Sequence, residues 1–120
     1  MAGSDLTGAL LKQVSRSFYL SLAVLPTPVR PTIGLAYLLA RAADTIADTR
    51  LIERRARMAH LEAFRDEMVA PAPGRLAGIA KAADRQSVAA EARLLERLPE
   101  IFGVYRAIED AQKGADHANR

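Results

Sequence analysis

The most informative segment of the chain is residues 37–48, Tyr37-Leu-Leu-Ala-Arg41-Ala-Ala-Asp44-Thr-Ile-Ala-Asp48. Its only charged side chains are Arg41, Asp44 and Asp48. At 100° per residue, these three and Tyr37 fall within about 60° of one face of an α-helix, and the remaining positions are almost all apolar. A helix that is apolar on most sides is typically buried. We therefore expect its polar stripe to face a wet cavity, a partner or a ligand.

The two acids of this stripe destabilise the helix that carries them. Carboxylates at i and i+4 repel each other by about 0.2–0.5 kcal/mol on an exposed helix. Near a helix C-terminus each also opposes the macrodipole, by about 0.3–1 kcal/mol. A divalent cation reverses this repulsion, and a few oxygen ligands on one helix suit Mg²⁺ that is shared with phosphate oxygens. Asp44 and Asp48 are therefore candidate metal ligands. The alternative is that Arg41 neutralises Asp44 in a buried ion pair.

A second polar cluster, Ser15-Arg16-Ser17, interrupts an otherwise apolar segment just before Phe18. An arginine with flanking hydroxyls suits a diphosphate, because guanidinium binds phosphate oxygens in a bidentate manner. The alternative is a solvated helical turn. If a short proline-containing loop joins antiparallel helices, the two polar clusters face each other.

Proline and glycine divide the chain into helical blocks, and no segment has the alternation of a strand. We predict an all-α chain of helical hairpins in which residues 1–120 form part of a single domain. The predicted elements are a helix over 4–26, a helix over 28–48, a helix over 51–69, a helical block over 87–108 bent at Pro99, and a polar tail over 109–120. Residues 75–85 are ambiguous. In the third helix, the residues predicted to point inward are Ile52, Met58, Leu61, Phe64 and Met68.

Composition excludes several classes of protein. There is no cysteine, which excludes disulfides, thiolate metal sites and a cysteine nucleophile. The net charge of +3 is small and dispersed, so we expect no nucleic-acid partner. The longest uncharged run, residues 17–29, is shorter than the roughly 20 apolar residues of a membrane-spanning helix. We expect a cytoplasmic protein, and peripheral association with a membrane stays open.

Taken in order, several segments resemble the start of the squalene and phytoene synthase family. The informative ones are Val14-Ser-Arg-Ser-Phe18, Leu25-Pro26, Arg30-Pro31, Tyr37-Leu-Leu-Ala-Arg41 and Asp44-Thr-Ile-Ala-Asp48. A weaker similarity continues through residues 94–100 and 105–106. Order, spacing and local context all agree, which makes the resemblance far more specific than an isolated DxxxD.

The resemblance implies an isoprenoid synthase fold and an enzyme that joins two prenyl diphosphates head to head. It implies that Asp44 and Asp48 form the first aspartate-rich motif, which holds Mg²⁺ against a substrate diphosphate. Arg41 matches the arginine one turn before that motif, and Tyr37 matches a tyrosine that lines the cavity. The residues that match the neighbourhood of the second diphosphate are Ser15, Arg16 and Ser17.

Within the family, the segments around Arg16 and Asp44 are more similar to squalene synthases than to phytoene synthases. This implies farnesyl diphosphate as the substrate, presqualene diphosphate and squalene as products, and NADPH as the reductant. One departure is Ala47, where squalene synthases often have an acid. The alternatives are a phytoene synthase that uses geranylgeranyl diphosphate, an enzyme making a hydroxylated product, and a non-enzymatic helical interaction module.

Length is the larger departure, since members of the family have longer domains with a second aspartate-rich motif. No acidic pair in an apolar context follows Asp48. The pairs Glu62 with Asp66 and Glu96 with Glu100 have the spacing, but they lie among other charges on faces that we expect to be solvated. We therefore expect the N-terminal part of a domain, inactive without C-terminal helices that carry the second motif.

Overall fold

The computed structural model describes residues 6–48, 53–85 and 88–118. Within these ranges the chain is helical and contains no strand, which confirms the all-α prediction. A π-helical turn, Leu6–Leu10, leads into the first helix, and 3₁₀ turns lie at Thr27–Val29 and Ala83–Arg85. The α-helices are α1 (Leu11–Val14), α2 (Arg16–Leu22), α3 (Arg30–Asp48), α4 (Arg54–Val69), α5 (Ala77–Ala82), α6 (Ala89–Glu96) and α7 (Leu98–Ala118).

The single helix predicted over 4–26 is broken at Ser15. The Ser15 backbone is extended (φ −153°, ψ 99°), and the Ser15 hydroxyl accepts a hydrogen bond from the Phe18 amide at 3.2 Å. Serine favours this N-cap role because its side chain satisfies a helix-end N–H. The apolar spacing continues through the break, so periodicity alone could not reveal it. Helix α2 then ends at Leu22, earlier than predicted, and residues 4 and 5 lie outside the described ranges.

The C-terminal block also differs from the prediction. Its break lies at Arg97 (φ −94°, ψ 7°), and Pro99 occupies the first turn of α7, where a missing N–H breaks no helical bond. Helix α7 continues to Ala118, so residues predicted as a polar tail are helical. Alanine, glutamine and lysine have high helix propensity, which extends this helix without an apolar stripe.

Helix α4 buries a different set of side chains from the one expected. Phe64 is buried as predicted and packs edge-on against Phe102 of α7, with ring centroids 5.1 Å apart. Met58 and Met68, predicted to point inward, are 51% and 46% exposed. Glu67 is buried in place of Met68 because arginines from outside α4 bind its carboxylate. Ile52 lies outside the described ranges.

Helix α3 is the centre of the fold and packs against α2, α4, α6 and α7. Its buried side is nearly all apolar and comprises Gly34, Leu35, Leu38, Leu39, Ala42, Thr45 and Ile46. Gly34 allows the N-terminal helices to approach closely, since a Cβ there would lie 3.0 Å from Thr7 Cγ2 and 3.2 Å from Leu22 Cδ2. None of the described helices is both long and apolar enough to cross a membrane.

Candidate functional site

Asp44 and Asp48 are solvent-exposed on the last two turns of α3. Neither carboxylate forms a hydrogen bond or ion pair with another residue in the described part of the chain. One side of this face of α3 is exposed and apolar: the neighbouring exposed positions there are Ile33, Ala36, Ala40 and Ala47. The sequence suggested burial on most sides, whereas the structure leaves this face of small apolar side chains open beside the acids.

Arg41 does not pair with Asp44, so the predicted alternative of a buried Arg41–Asp44 ion pair is wrong. Its Nη2 donates instead to Oε1 of Glu91, on α6, at 2.7 Å. The side chains of Arg41 and Glu91 are 41% and 19% exposed. The arginine therefore lies beside the acidic pair while its charge is balanced from another helix.

The Tyr37 ring connects the segment of Ser15, Arg16 and Ser17 to the helix that carries Asp44 and Asp48. It stacks on Phe18 of α2, with centroids 4.0 Å apart and planes inclined by 10°. Tyr37 is half-buried and lies two turns, about 10 Å along the helix axis, before Asp44. The segment that begins at Ser15 is thus packed onto the helix that carries the acids.

Within that segment, the three predicted residues have different environments. The Ser15 hydroxyl is used as the cap of α2, where it accepts from the Phe18 amide. Arg16 and Ser17 are exposed. Arg16 forms no ion pair with another described residue, and its guanidinium is available to an anion.

Arg30 shapes the turn that folds α2 back onto α3. Its Nε donates to the Leu25 carbonyl and its Nη2 donates to the Ala23 carbonyl, both at 2.7 Å. These carbonyls lie just after the end of α2, where helical partners are missing. The sequence marked Arg30 only as part of a matching segment, and the structure gives it this positioning role.

Arg57 contacts the C-terminal end of α3. Its Nη1 donates to the Ala47 carbonyl at 3.0 Å, and its Nε is buried and has no hydrogen-bond partner in the described part of the chain. A cation at a helix C-terminus is favourable because it compensates the negative end of the macrodipole. Arg57 therefore offsets part of the unfavourable interaction of Asp44 and Asp48 with the negative end of the helix macrodipole. Sequence analysis missed Arg57, which was one of many arginines on α4.

A separate buried cluster lies around Glu67. Its Oε1 is 3.4 Å from Arg75 Nη1 and accepts from the Ala72 amide at 3.2 Å, and its Oε2 is 3.9 Å from Arg106 Nη1. The glutamate borders a cavity of about 570 Å³. Its position three residues after Phe64 was the available signal of burial.

On α7, burial raises the pKa of Tyr105, and the nearby Glu109 carboxylate raises that pKa further.

The acidic pair fits Mg²⁺ as a partial ligand set. Within residues 6–48, 53–85 and 88–118, no group of three or more His, Cys, Asp or Glu side chains is arranged to hold a metal. Mg²⁺ is commonly bound by one or two carboxylates, with substrate phosphates and water supplying the other oxygens. Asp44 and Asp48 are oxygen donors that no described side chain neutralises, as such a site requires.

Comparison with known protein families shows to which family the chain belongs. The family model for squalene/phytoene synthase matches residues 11–113, a span that includes every candidate site residue. The chain belongs to the squalene/phytoene synthase family. No curated protein and no solved structure matches it. The squalene/phytoene synthase family consists of prenyltransferases that condense prenyl diphosphates head to head.

Proposed function

We propose that this chain supplies the Mg²⁺-binding and diphosphate-binding side of an enzyme that condenses two farnesyl diphosphates to presqualene diphosphate and squalene. The observation that carries the proposal is that the exposed carboxylates of Asp44 and Asp48 pair with no other described residue, beside Arg41, whose charge is balanced by Glu91 of another helix. Farnesyl rather than geranylgeranyl diphosphate is favoured by the similarity of the Ser15–Phe18 and Asp44–Asp48 segments to squalene synthases.

In this proposal Asp44 and Asp48 hold Mg²⁺, which when bound offsets the negative charge that develops on the leaving diphosphate. Arg41 donates hydrogen bonds to the departing diphosphate as the C–O bond of one substrate breaks, and Arg16 donates to the diphosphate of the other substrate. The double bond of the second substrate attacks the resulting allylic cation. Loss of a proton then closes the cyclopropane of presqualene diphosphate, and one pyrophosphate is released.

The exposed apolar face of α3 supports the same assignment. Ile33, Ala36 and Ala40 continue from Asp44 along one side of the helix and are exposed. A prenyl chain whose diphosphate is held at Asp44 can lie along these small side chains. In that position the prenyl chain and the apolar face exclude water, which would otherwise capture the allylic cation. Tyr37, next to this face, contributes part of the wall.

We also propose that these 120 residues do not catalyse the reaction by themselves. Two carboxylates provide one metal-binding motif, whereas condensation of two diphosphates needs charge compensation for both. The sequence after Asp48 has no second acidic pair in an apolar context. The opposing helices, with their own metal ligands, would complete the cavity.

Product analysis tests the function. The natural protein is incubated with Mg²⁺ and either farnesyl diphosphate, with and without NADPH, or geranylgeranyl diphosphate, and the products are identified by mass spectrometry. We expect presqualene diphosphate without NADPH and squalene with it. A product from geranylgeranyl diphosphate alone would favour a phytoene synthase. No product from either substrate would contradict the proposal and favour a helical interaction module.

A further inference from the structure

The partner of Arg41 lies fifty residues further along the chain. Glu91 Oε1 accepts from Arg41 Nη2 at 2.7 Å, which is the short distance of a charge-assisted hydrogen bond. Glu91 lies in the first turn of α6, where the helix macrodipole stabilises a carboxylate. Its side chain is only 19% exposed. Glu91 is therefore well placed to hold the guanidinium of Arg41.

Glu91 competes with Asp44 for the same guanidinium. Arg41 and Asp44 are three residues apart on α3, a spacing at which helical side chains form ion pairs. Such a pair would occupy the carboxylate that Mg²⁺ needs and reduce the charge of the acidic pair. The structure has the Glu91 pair in its place. Removing the Glu91 charge leaves Asp44 as the acid within helical reach of Arg41.

The contact also determines which part of Arg41 is available. The Nε atom is buried and has no hydrogen-bond partner among the described residues, and Nη2 is bound to Glu91. The guanidinium has five N–H donors, and the contact with Glu91 restricts its rotation. The side chain remains 41% exposed, so donors are left for an anion beside the acidic pair.

We propose that Glu91 is a positioning residue that holds Arg41 away from Asp44 and orients its guanidinium toward the substrate diphosphate. This inference rests on the proposed function, because it assigns Glu91 a role in the same diphosphate site. Glu91 acts through Arg41 and has no contact with substrate.

The test measures binding of inorganic pyrophosphate at saturating Mg²⁺ by isothermal titration calorimetry, with the natural protein. Glu91→Gln is expected to weaken binding about tenfold or more, the usual loss when a supporting contact to a ligand-binding group is removed. Glu96→Gln is the matched control because Glu96 is exposed on the same helix. It is expected to leave the pyrophosphate affinity unchanged.

A double-mutant cycle separates positioning from stability. In an Arg41→Gln background, Glu91→Gln is expected to change pyrophosphate affinity less than twofold, because no guanidinium is left to position. A merely structural glutamate would lower the thermal midpoint while leaving the pyrophosphate affinity unchanged. The proposal is overturned if Glu91→Gln binds within twofold of wild type, or if it weakens binding equally in both backgrounds.

Two further variants keep the result interpretable. If Glu91→Gln does not fold, Glu91→Asp takes its place, since it retains the charge on a shorter side chain. The proposal is supported if Glu91→Asp lowers the pyrophosphate affinity in the wild-type background but not in the Arg41→Gln background. Unchanged affinity in the wild-type background overturns it. Asp44→Asn distinguishes the two claims: if it does not weaken Mg²⁺-dependent binding, the proposed function fails. If Asp44→Asn weakens binding and the Glu91 variants do not, only the role of Glu91 fails.

Discussion

The rings of Phe18 and Tyr37 stack face to face, 4.0 Å apart and nearly parallel, and this contact joins α2 to α3. It brings an exposed arginine segment and an exposed acidic pair onto one packed unit. Neither ring belongs to the charged groups that first indicated a site. Their contact explains how the segment around Arg16 is packed onto the helix that carries Asp44, about thirty positions later in the chain.

Loss of this stack is expected to reduce both stability and ligand binding. Tyr37→Leu removes the ring, which lowers the free energy of unfolding by about 1–2 kcal/mol, because an aromatic pair contributes about 0.5–1.5 kcal/mol beyond its buried area. Tyr37→Phe keeps the ring and is the control. Urea unfolding and pyrophosphate titration measure the two effects. Equal stability of Tyr37→Leu and Tyr37→Phe would contradict a structural role for the stack.

Two glycines are expected to respond to alanine with opposite signs. Gly103→Ala on α7 meets open space and is expected to raise the free energy of unfolding by about 0.5–1 kcal/mol, because alanine favours helix. Gly34→Ala places a Cβ at 3.0 Å from Thr7 and is expected to lower that free energy by about 1 kcal/mol. Thermal or urea unfolding measures both. Stabilisation by Gly34→Ala would show that the N-terminal helices do not pack closely on α3.

The buried carboxylate of Glu67 is expected to be important for stability. Glu67→Gln removes the charge that compensates Arg75 and Arg106, and should lower the free energy of unfolding by about 2–3 kcal/mol. Glu62→Gln, on the exposed side of α4, is the control and should change it by less than about 0.5 kcal/mol. Similar unfolding curves for the two variants would argue against the buried cluster.

The isolated 120-residue chain is expected to form no squalene or presqualene diphosphate from farnesyl diphosphate and Mg²⁺. The physical reason is that Asp44 and Asp48 provide charge compensation for one diphosphate, while the reaction uses two. Mass spectrometry of products from the purified chain is the measurement. Detectable condensation product would contradict this prediction and would mean that these residues suffice for both substrates.

The sequence predicted α3 and its acidic stripe because local spacing determines which side chains share a helix face. The break at Ser15 was not predictable in the same way, because a serine that caps a helix and one that continues it leave the same apolar periodicity. The pairing of Arg41 with Glu91 depends on packing between α3 and α6. Local spacing favoured Asp44 instead, three residues away. The packing of α3 against α6 therefore determines which acid pairs with Arg41.

The exposure of Met68 has a similar cause. Apolar spacing placed Met68 inward, but Glu67 is buried beside Phe64 because Arg75 and Arg106, from outside α4, bind its carboxylate. The arginine partners of this acid lie eight and 39 residues away, so its spacing from Phe64 was the one local sign of its burial. The continuation of α7 beyond residue 108 follows from helix propensity, which an analysis of apolar periodicity does not weigh.

We propose that Asp44 and Asp48 bind a prenyl diphosphate through Mg²⁺, and binding of farnesyl thiodiphosphate to the natural protein tests this. Calorimetry is performed with Mg²⁺ and with EDTA, on wild type, Asp44→Asn and the exposed control Asp110→Asn. We predict binding that requires Mg²⁺, is weakened by at least about tenfold in Asp44→Asn and is unchanged in Asp110→Asn. Binding that is independent of Mg²⁺, or equal in Asp44→Asn and wild type, would contradict the account.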